Sequence, residues 1–539
     1  MKIAVVEFDY VVVGAGAAGC VVAGRLAAAS ATHGRRPSVL LVEYGGRPVN
    51  PLLHVPKGFY YTLRGDRYLY RYATNPVGPA GQHEVWLRGR VLGGSAAVNG
   101  MMWMRGAPAD WDGLAARGNP GWSWADVLPA YRAIEDHSLG ASDMRGAGGP
   151  LGVSVTDPRD ALTSAILASA VAYGWRQVAD VNAEDTERIG FTPSTIAHGR
   201  RTTSYGAFVR PMLERLSVVT RTRAVALTFD GRRVTGVKLA DARGAASEVR
   251  AFREVIVCAG SVETPLLLER SGIGQPDLLR KHGIALRTES PNVGERLIEQ
   301  RGVALQVTLN ETSNATRRLS TLRGQAREAL RWLTSGTGLL ATGGYDLVCQ
   351  FKSSPTVARP DVQGLFVPMA LDTTSKDMKL ADHPGIFFMA YPIRPETTSS
   401  VHISGAAPDD LPVIDARFLE ASGDWNAVAP VLEIARSVLA QSPTRALIKG
   451  EEFPGPSVAT REDTVEYSLA TGTGLYHAVG SAAMGPADFD VVDAQLRVRG
   501  VDGLRIADAS VLPTQVSGNT AAPAMLVGYR AAGLILSDR

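Results

Sequence analysis

The chain has 539 residues, more than one compact core accommodates, so two or more domains are expected. Its 45% hydrophobic and 20% charged residues are typical of a globular protein, and a formal net charge of +3 gives no basis for a nucleic-acid partner. No segment has about 18 uninterrupted apolar residues, so we expect no membrane span. The cysteines, Cys20, Cys258 and Cys349, have neither metal-binding nor disulfide spacing, which fits a cytoplasmic protein without a metal site.

The first patterned stretch, residues 8–46, predicts a strand, a glycine-rich turn, a helix and a second strand. Residues 10–13 form a β-branched apolar run typical of a buried parallel strand, residues 21–29 favour a helix, and residues 38–42 predict the next strand. The turn contains Gly14, Ala15, Gly16, Ala17, Ala18 and Gly19. This spacing indicates a dinucleotide-binding fingerprint, in which backbone N–H groups at a helix N-terminus approach a pyrophosphate.

Single positions in this stretch have separate expected roles. Gly14 allows the tight turn, Gly16 allows the pyrophosphate to approach, and Gly19 allows the helix to pack against the strand. Glu43 stands at the carboxyl end of the second predicted strand. Its carboxylate can accept hydrogen bonds from both ribose hydroxyls and would repel a 2′-phosphate. The sequence therefore predicts a dinucleotide-binding site.

Two targeting interpretations of the same stretch fail. Residues 10–29 are apolar enough to imitate a membrane span, and residues 17–20 imitate a lipoprotein cleavage box. However, Glu7 and Asp9 precede the run, Arg25 interrupts it, and glycines occupy its middle. We therefore assign the stretch to the folded protein.

A second glycine-rich stretch occupies residues 87–106. Gly93, Gly94 and Ser95 offer unobstructed backbone amides and a hydroxyl, which suit a phosphate or the edge of a flat heterocycle. Asn99 can both donate and accept hydrogen bonds. Taken alone, this pattern is also typical of an ordinary glycine turn.

Together with its surroundings, the second stretch resembles the first signature of the glucose–methanol–choline (GMC) flavoprotein oxidoreductases. The matching features are a basic residue (Arg90), an aliphatic residue (Leu92), Gly-Gly, small residues and Asn99, while Ala96 departs slightly from the pattern. Residues 260–274 resemble the second signature of the family, with Gly-Ser, Thr-Pro, paired aliphatics and Ser-Gly-Ile-Gly in register. The resemblance extends from Phe8 to the last predicted helix.

The resemblance implies an α/β fold with a Rossmann-like FAD-binding domain and a second, substrate-binding domain. The FAD-binding domain, built on a parallel sheet, would comprise residues 1–150, 216–300 and 466–539. The substrate-binding domain would comprise residues 151–215 and 301–465, with an antiparallel sheet covered by helices.

Within the second domain, the sequence predicts strands near residues 303–309, 387–393 and 401–403 and an amphipathic helix over residues 323–333. We expect its large aromatic residues to lie in the core rather than against substrate; these are Trp332, Phe366, Phe387 and Phe388.

The resemblance also implies non-covalent FAD, since Val98 stands where some members carry a histidine bonded to the flavin. The residues implied in cofactor binding are Gly14, Ala15, Gly16, Ala17, Ala18, Gly19, Glu43, Arg90, Gly94, Ser95, Asn99, Gly100, Met101, Met102, Val225, Asp508, Ala509, Asn519 and Thr520. Among these, the backbone of Val225 would face the adenine, and Asp508 and Ala509 would follow the ribityl chain and the pyrophosphate.

The catalytic residues implied by the resemblance are His477 and Asn519, because their surroundings match the family's histidine segment and its partner position. The expected reaction is the oxidation of a primary alcohol to an aldehyde, with hydride transfer to flavin N5. Neutral imidazole is a suitable base for the hydroxyl proton, and an asparagine amide can donate to the alkoxide-like oxygen. The reduced flavin would be reoxidised by O2 or another acceptor, and the sequence leaves that choice open.

Other features leave alternatives open. A hydroxynitrile lyase would keep FAD structurally on the same fold, although the pairing of His477 with Asn519 favours oxidation. Residues 51–75 are rich in aromatics and are either a packed loop or a flap near the site entrance; as a flap, they and Trp103 would suit an aryl or furanic alcohol. At residues 293–300 the chain departs from the family, which puts local packing in question. Substrate identity and oligomeric state are not indicated.

Overall fold

Two seven-stranded sheets dominate the computed structural model, which describes residues 6–31, 35–155, 160–310, 315–372 and 379–538. The first sheet is mainly parallel, and the second is mainly antiparallel. This difference matches the sequence, since Val39–Val42 and the second half of Val6–Val13 are short, continuous apolar runs of the kind that parallel sheets bury on both faces. The predicted α/β class with two kinds of sheet is confirmed.

The first sheet is centred on the predicted strand of the fingerprint, which extends over Val6–Val13. Val11 lies opposite Leu40 on one side and Val255 on the other, both in parallel register. From edge to edge its strands are Ser217–Val219, Val39–Val42, Val6–Val13, Ala246–Val257, Arg233–Asp241 and Thr222–Asp230, with Leu504–Ile506 paired in parallel to Ala246–Val257.

The second sheet is antiparallel except at one edge, where its last two strands run parallel. It contains two of the predicted strand regions, at residues 303–309 and 387–393, whereas residues 401–403 belong to a separate two-stranded sheet. In spatial order its strands are Ile448–Phe453, Val303–Leu309, Gly385–Pro392, Val362–Val367, Leu347–Phe351, Arg188–Phe191 and Arg176–Gln177.

Several smaller sheets accompany the two large ones. The paired strands are Leu69–Val77 with Gln82–Gly89, Ile196–Ala197 with Arg200–Arg201, Ile273–Gly274 with Thr288–Glu289, Leu371–Asp372 with Lys379–Leu380, and Ser400–His402 with Val413–Asp415. A three-stranded sheet is formed by Glu135–His137, Leu151–Val155 and Pro193–Ser194.

Several helices begin where the sequence offers a capping box. Ser123 with Asp126 caps Trp124–Ile134, and Thr460 with Asp463 caps Arg461–Thr471. The helices are Ala17–Ala28, Phe59–Thr62, Pro108–Ala116, Trp124–Ile134, Ala161–Tyr173, Gly260–Arg270, Pro276–Lys281, Ala315–Ser320, Leu322–Ser335, Ser422–Val428, Val431–Leu439, Thr444–Leu447, Arg461–Thr471 and Ala521–Ser537. The described part of the chain includes no helix with both the length and the hydropathy of a membrane span.

The predicted amphipathic helix is confirmed as Leu322–Ser335, but its leucines do not face the core. Trp332 is buried, whereas Leu330 and Leu333 are exposed. The indole Nε1 of Trp332 donates to the carbonyl oxygen of Gly199 at 2.7 Å. A polar contact of the indole therefore helps to set the orientation of this helix.

The strands of the two sheets divide along the predicted domain ranges. Those of the first sheet lie within residues 1–150, 216–300 and 466–539, and those of the second lie within residues 151–215 and 301–465. The boundaries themselves stay a prediction.

A partly buried charge cluster connects the two parts of the chain. The His402 ring lies 2.7 Å from a carboxylate oxygen of Glu269, in the helix of the second signature, and 3.1 Å from Glu295. Burial alone would lower the pKa of His402, but the two carboxylates outweigh it and raise the pKa to about 9. His402 is therefore a cation at neutral pH.

We predict that His402→Leu lowers the melting temperature of the holoenzyme at pH 6.5 by ~3 °C or more, because it leaves buried Glu269 unpaired. The folded pKa lies above the ordinary histidine value, so the stabilisation is complete below about pH 6.5 and is lost as the pH rises through 9. Thermal melts should therefore show a difference in melting temperature between the wild type and His402→Leu that is smaller at pH 9.5 than at pH 6.5. The control is His282→Leu, outside this cluster; an equal difference at both pH values would contradict the assignment.

Candidate active site

A cavity of about 570 Å³ runs from the fingerprint turn to His477. Its wall brings together most of the predicted site residues, although they come from distant parts of the chain. Those in the wall are Gly14, Gly16, Ala17, Ala18, Glu43, Gly94, Ser95, Asn99, Gly100, Met101, Met102, His477, Asp508, Ala509, Asn519 and Thr520. Four predicted residues lie outside the wall, namely Ala15, Gly19, Arg90 and Val225.

At the fingerprint end, Glu43 is fixed by backbone donors. Its carboxylate accepts hydrogen bonds from Ala15 N (3.0 Å) and Gly45 N (2.7 Å). Burial raises the pKa of Glu43 to about 7, against the effect of these two donors and of Arg90. Ala15 therefore acts on the site through Glu43 and does not line it.

The glycines of the two glycine-rich stretches pack against each other. Gly94 has a φ of +54°, and an added Cβ would stand 2.6 Å from the Cα of Gly16. Gly93 N also donates to Ala15 O at 2.8 Å. Gly19 packs beneath them, since an added Cβ there would lie 1.9 Å from the carbonyl oxygen of Gly14. The first signature is thereby docked onto the fingerprint turn.

This end of the cavity fits a pyrophosphate. Gly16 begins the helix Ala17–Ala28 without a side-chain cap, so N–H groups of the first turn are left for a ligand. An added Cβ on Gly16 would meet nothing within 4 Å, which shows that this position faces open space. The residues present thus fit the diphosphate part of FAD.

Further along the wall, Asn99 is oriented by two donors. Its Oδ1 accepts from Met101 N (3.0 Å) and from Arg201 Nη1 (2.8 Å). Because the oxygen is engaged in this way, the amide NH2 is the group available to a ligand. Burial lowers the pKa of Arg201 to about 9, and the guanidinium is still charged at neutral pH. Arg201 was not among the predicted site residues.

Two residues predicted to bind the cofactor, Arg90 and Val225, are not among those that line the cavity. The Arg90 guanidinium stands 5.7 Å from the ring centre of Tyr44 and 5.5 Å from that of Tyr70, both of which line the cavity. The strand Thr222–Asp230 has an irregular register between Ala224 and Ala226, and Ala224 lines the cavity in place of Val225. The roles of Arg90 and Val225 in cofactor binding therefore stay predictions.

Asp508 lies in the wall and also binds the protein. Its carboxylate accepts from Gly260 N (2.8 Å), Thr264 Oγ1 (2.7 Å) and Ser510 N (2.8 Å). It thereby connects the carboxyl-terminal segment to the first turn of the second-signature helix, Gly260–Arg270. Its role in positioning this helix was not predicted.

At the other end of the cavity, His477 and Asn519 lie in direct contact. Asn519 Nδ2 is 2.9 Å from His477 Nε2, and His477 Nδ1 is 2.7 Å from Gln300 Oε1. Burial lowers the pKa of His477 to about 3, with the positive charge of Arg88 as the second cause. The imidazole is therefore neutral at physiological pH.

The backbone at His477 is held by a buried carboxylate. Glu299 accepts from His477 N (2.8 Å) and Ala478 N (3.0 Å), and lies 3.6 Å from the Arg88 guanidinium. The unusual residues at 293–300 were expected to affect only local packing. Instead, Glu299 and Gln300 are direct neighbours of His477. The sequence signal was present, since two adjacent polar residues replace the family pattern there.

The wall around His477 is apolar and aromatic. Among its residues are Phe59, Tyr60, Leu63, Tyr345, Leu365, Phe387, Met389, Tyr391, Leu475 and Tyr476. Residues 51–75 thus contribute to the cavity wall, which favours the flap interpretation over that of a packed loop.

Two expectations about aromatics are corrected. Phe387 was placed in the core but lines the cavity, because strand alternation directs it to the face opposite its neighbour Phe388. Trp103 was considered for substrate binding but is fully buried, and its Nε1 donates to Glu135 at 2.7 Å. Trp332, Phe366 and Phe388 lie outside the cavity wall, as expected.

Comparisons with known proteins agree with this geometry. The family model for the GMC oxidoreductase N-terminal part matches residues 8–301, and the model for the C-terminal part matches residues 395–528. An oxygen-dependent choline dehydrogenase of Brucella anthropi is 32% identical over 98% of this chain and 96% of its own. An uncharacterised GMC-type oxidoreductase of Mycobacterium tuberculosis is 35% identical over 98% of this chain and 99% of its own.

Solved structures show the same fold. Pyridoxine 4-oxidase from Mesorbium loti superposes with a TM-score of 0.87 at 25% identity, covering 98% of this chain and 99% of its own. A fungal aryl-alcohol oxidase superposes with a TM-score of 0.81 at 22% identity, covering 98% of this chain and 99% of its own, which shows the fold alone. The chain belongs to the GMC oxidoreductase family and is an FAD-dependent oxidoreductase.

Proposed function

We propose that this protein oxidises a primary alcohol to an aldehyde, with His477 as the base and Asn519 as its partner. Bound FAD supplies the hydride acceptor. His477 Nε2 takes the hydroxyl proton, and Asn519 Nδ2 donates to the same oxygen and fixes its direction. The observation that carries the proposal is the 2.9 Å contact between these two atoms in the cavity wall, beside a neutral imidazole.

We propose that FAD is bound without a covalent link. Its diphosphate would lie at the start of the helix Ala17–Ala28, and the ribose would lie beside Glu43. The Asn99 amide would donate to the heterocycle. Val98 also lines the cavity and has no group that could bond to the flavin.

The wall chemistry supports an uncharged substrate. The carboxylates that line the cavity are already bonded within the protein: Glu43 and Asp508 as described above, and Glu263 by Tyr72 Oη at 2.7 Å. The described wall also contains many apolar and aromatic side chains, together with Arg88 and Asn519. We therefore propose a neutral alcohol with an aromatic or aliphatic body.

The first test is an anaerobic visible spectrum of the purified holoenzyme during titration with primary alcohols. We expect an alcohol to bleach the flavin band, and His477→Gln to slow the bleaching by ~100-fold or more, since a general base contributes that much. Recovery in air with peroxide formation identifies O2 as acceptor, and bleaching that persists in air identifies another acceptor. Bound flavin that no alcohol reduces, or a His477→Gln variant as fast as wild type, would refute the proposal.

The pH dependence follows from the lowered pKa of His477. A base acts in its deprotonated form, so activity is present above its pKa and is lost as the pH falls through it. With a pKa of about 3, kcat/KM should stay level from about pH 5 to pH 8. Initial rates should be measured after confirming that the enzyme recovers from each pH. An acid limb with a midpoint near 6.5 would contradict this environment for His477.

Substrate preference gives a further prediction. We expect kcat/KM for benzyl alcohol to exceed that for choline by ~100-fold or more. The carboxylates among the described wall residues are all bonded within the protein, so none of them is free to compensate the quaternary ammonium, and Arg88 repels it. The matched pair is 3,3-dimethyl-1-butanol and choline, which have nearly the same shape and differ in charge. Equal kcat/KM values for this pair would overturn the neutral-substrate assignment.

A further inference from the structure

Buried polar side chains form a row across the second sheet. Arg188 lies opposite Gln350, Gln350 lies opposite Gln363, and Gln363 lies opposite Tyr391 on successive strands. Arg188, Gln350 and Gln363, which we call the amide row, are 3%, 2% and 0% exposed. Amides and a guanidinium are costly to bury in a sheet unless their polar groups are bonded.

The amide row is bonded end to end and leads to the active site. Arg188 Nη2 donates to Gln350 Oε1 at 2.6 Å, and Gln350 Nε2 donates to Gln363 Oε1 at 2.9 Å. Gln363 Nε2 then donates to Asn519 Oδ1 at 3.0 Å. Asn519 Nδ2 is the atom that contacts His477 Nε2.

The direction of this chain is fixed at its start. A guanidinium has only donors, so Gln350 must turn its oxygen toward Arg188 and its nitrogen toward Gln363. The same reasoning then orients Gln363 and, in turn, Asn519. Arg188 itself is held in place, since its Nε and Nη1 donate to the carbonyl oxygens of Val181 (2.7 Å) and Thr186 (2.6 Å).

Tyr391 supports the same direction. Its hydroxyl accepts from Gln363 Nε2 at 2.5 Å and lies 3.3 Å from Asn519 Oδ1, to which it donates. The oxygen of Asn519 therefore receives two donors, and its nitrogen faces the imidazole. An N–H donor at Nε2 requires that this nitrogen be unprotonated. The proton then resides on Nδ1 and is donated to Gln300 Oε1.

We propose that the amide row sets the tautomer of His477, so that Nε2 is kept unprotonated and can accept the substrate proton. Arg188, Gln350 and Gln363 are in this view positioning residues, which act on the imidazole only through Asn519. The inference rests on the proposed role of His477 as the base. It assigns a function to residues of the second sheet that do not contact His477 directly.

The test reverses the direction of the hydrogen bonds along the amide row by a substitution that exchanges one nitrogen for an oxygen. Gln350→Glu keeps the acceptor for Arg188 and forms an ion pair with it, but removes the N–H that Gln363 accepts. Gln363 would then turn its nitrogen toward position 350 and its oxygen toward Asn519. Asn519 in turn would present its oxygen to His477, and Nε2 would have to carry the proton.

The matched control is Gln350→Met, which removes the hydrogen bonds of this position without imposing the reverse direction. A purely structural role predicts that the isosteric Gln350→Glu is the milder variant. Our proposal predicts the opposite order. Gln350→Glu should slow anaerobic flavin reduction by ~100-fold or more, and Gln350→Met by no more than ~10-fold, at unchanged FAD content.

A second readout does not depend on activity. Long-range ¹H–¹⁵N correlations of histidine-labelled protein report which ring nitrogen carries the proton, and the His477 signals are those that His477→Gln removes. We expect the Nδ1–H form in the wild type and the Nε2–H form in Gln350→Glu. An Nε2–H form in the wild type, or an unchanged tautomer in Gln350→Glu, would overturn the proposal. If no alcohol reduces the wild-type flavin, the proposed function fails, and the NMR comparison still decides the tautomer.

Discussion

A carboxylate that is buried on folding needs hydrogen-bond donors to replace water. Around the cavity, three buried carboxylates obtain these donors from backbone N–H groups. Glu43 takes the N–H groups of Ala15 and Gly45, Asp508 takes those of Gly260 and Ser510, and Glu299 takes those of Gln300, His477 and Ala478. Each carboxylate connects chain segments at the site. The fingerprint turn, the second-signature helix and the histidine segment are fixed in this way.

The glycines have a complementary role, because they allow backbone segments to approach where side chains would prevent it. Gly94 rests on Gly16, and Gly19 rests on Gly14. The site is therefore bounded at one end by bare backbone and at the other by apolar side chains. Such a division suits a ligand with a diphosphate at one end and a flat ring system at the other.

Features of the site that depend on local sequence could be predicted. The pattern of apolar residues and the spacing of the glycines predict the strands, turn and helix of the fingerprint and the position of Glu43. Both signals lie within a stretch of about 40 residues. His477 and Asn519 were identified because their short surroundings match a family pattern. The hairpin between Thr222–Asp230 and Arg233–Asp241 is likewise a local feature.

What could not be predicted depends on register between distant strands. Nothing in the runs around Gln350 and Gln363 indicates that these residues lie side by side, or that Arg188 faces them. Phe387 differs from Phe388 only by the face of the strand, so its place in the cavity required the pairing with residues 303–309. The register of the strand that contains Val225 could not be predicted for a related reason, because a local irregularity between Ala224 and Ala226 changes its alternation.

The same registers separate two tasks within the second sheet. Gln363 lies between Val362 and Gly364 on a buried strand, and Leu365 of that strand lines the cavity. On the next strand, Met389 lines the cavity, whereas Tyr391 both lines the cavity and bonds the amide row. Wall residues outside these hydrogen bonds, such as Leu365 and Met389, can therefore change without removing the bonds that orient Asn519. Under the proposed function, this separation would allow His477 to serve alcohols of different shapes.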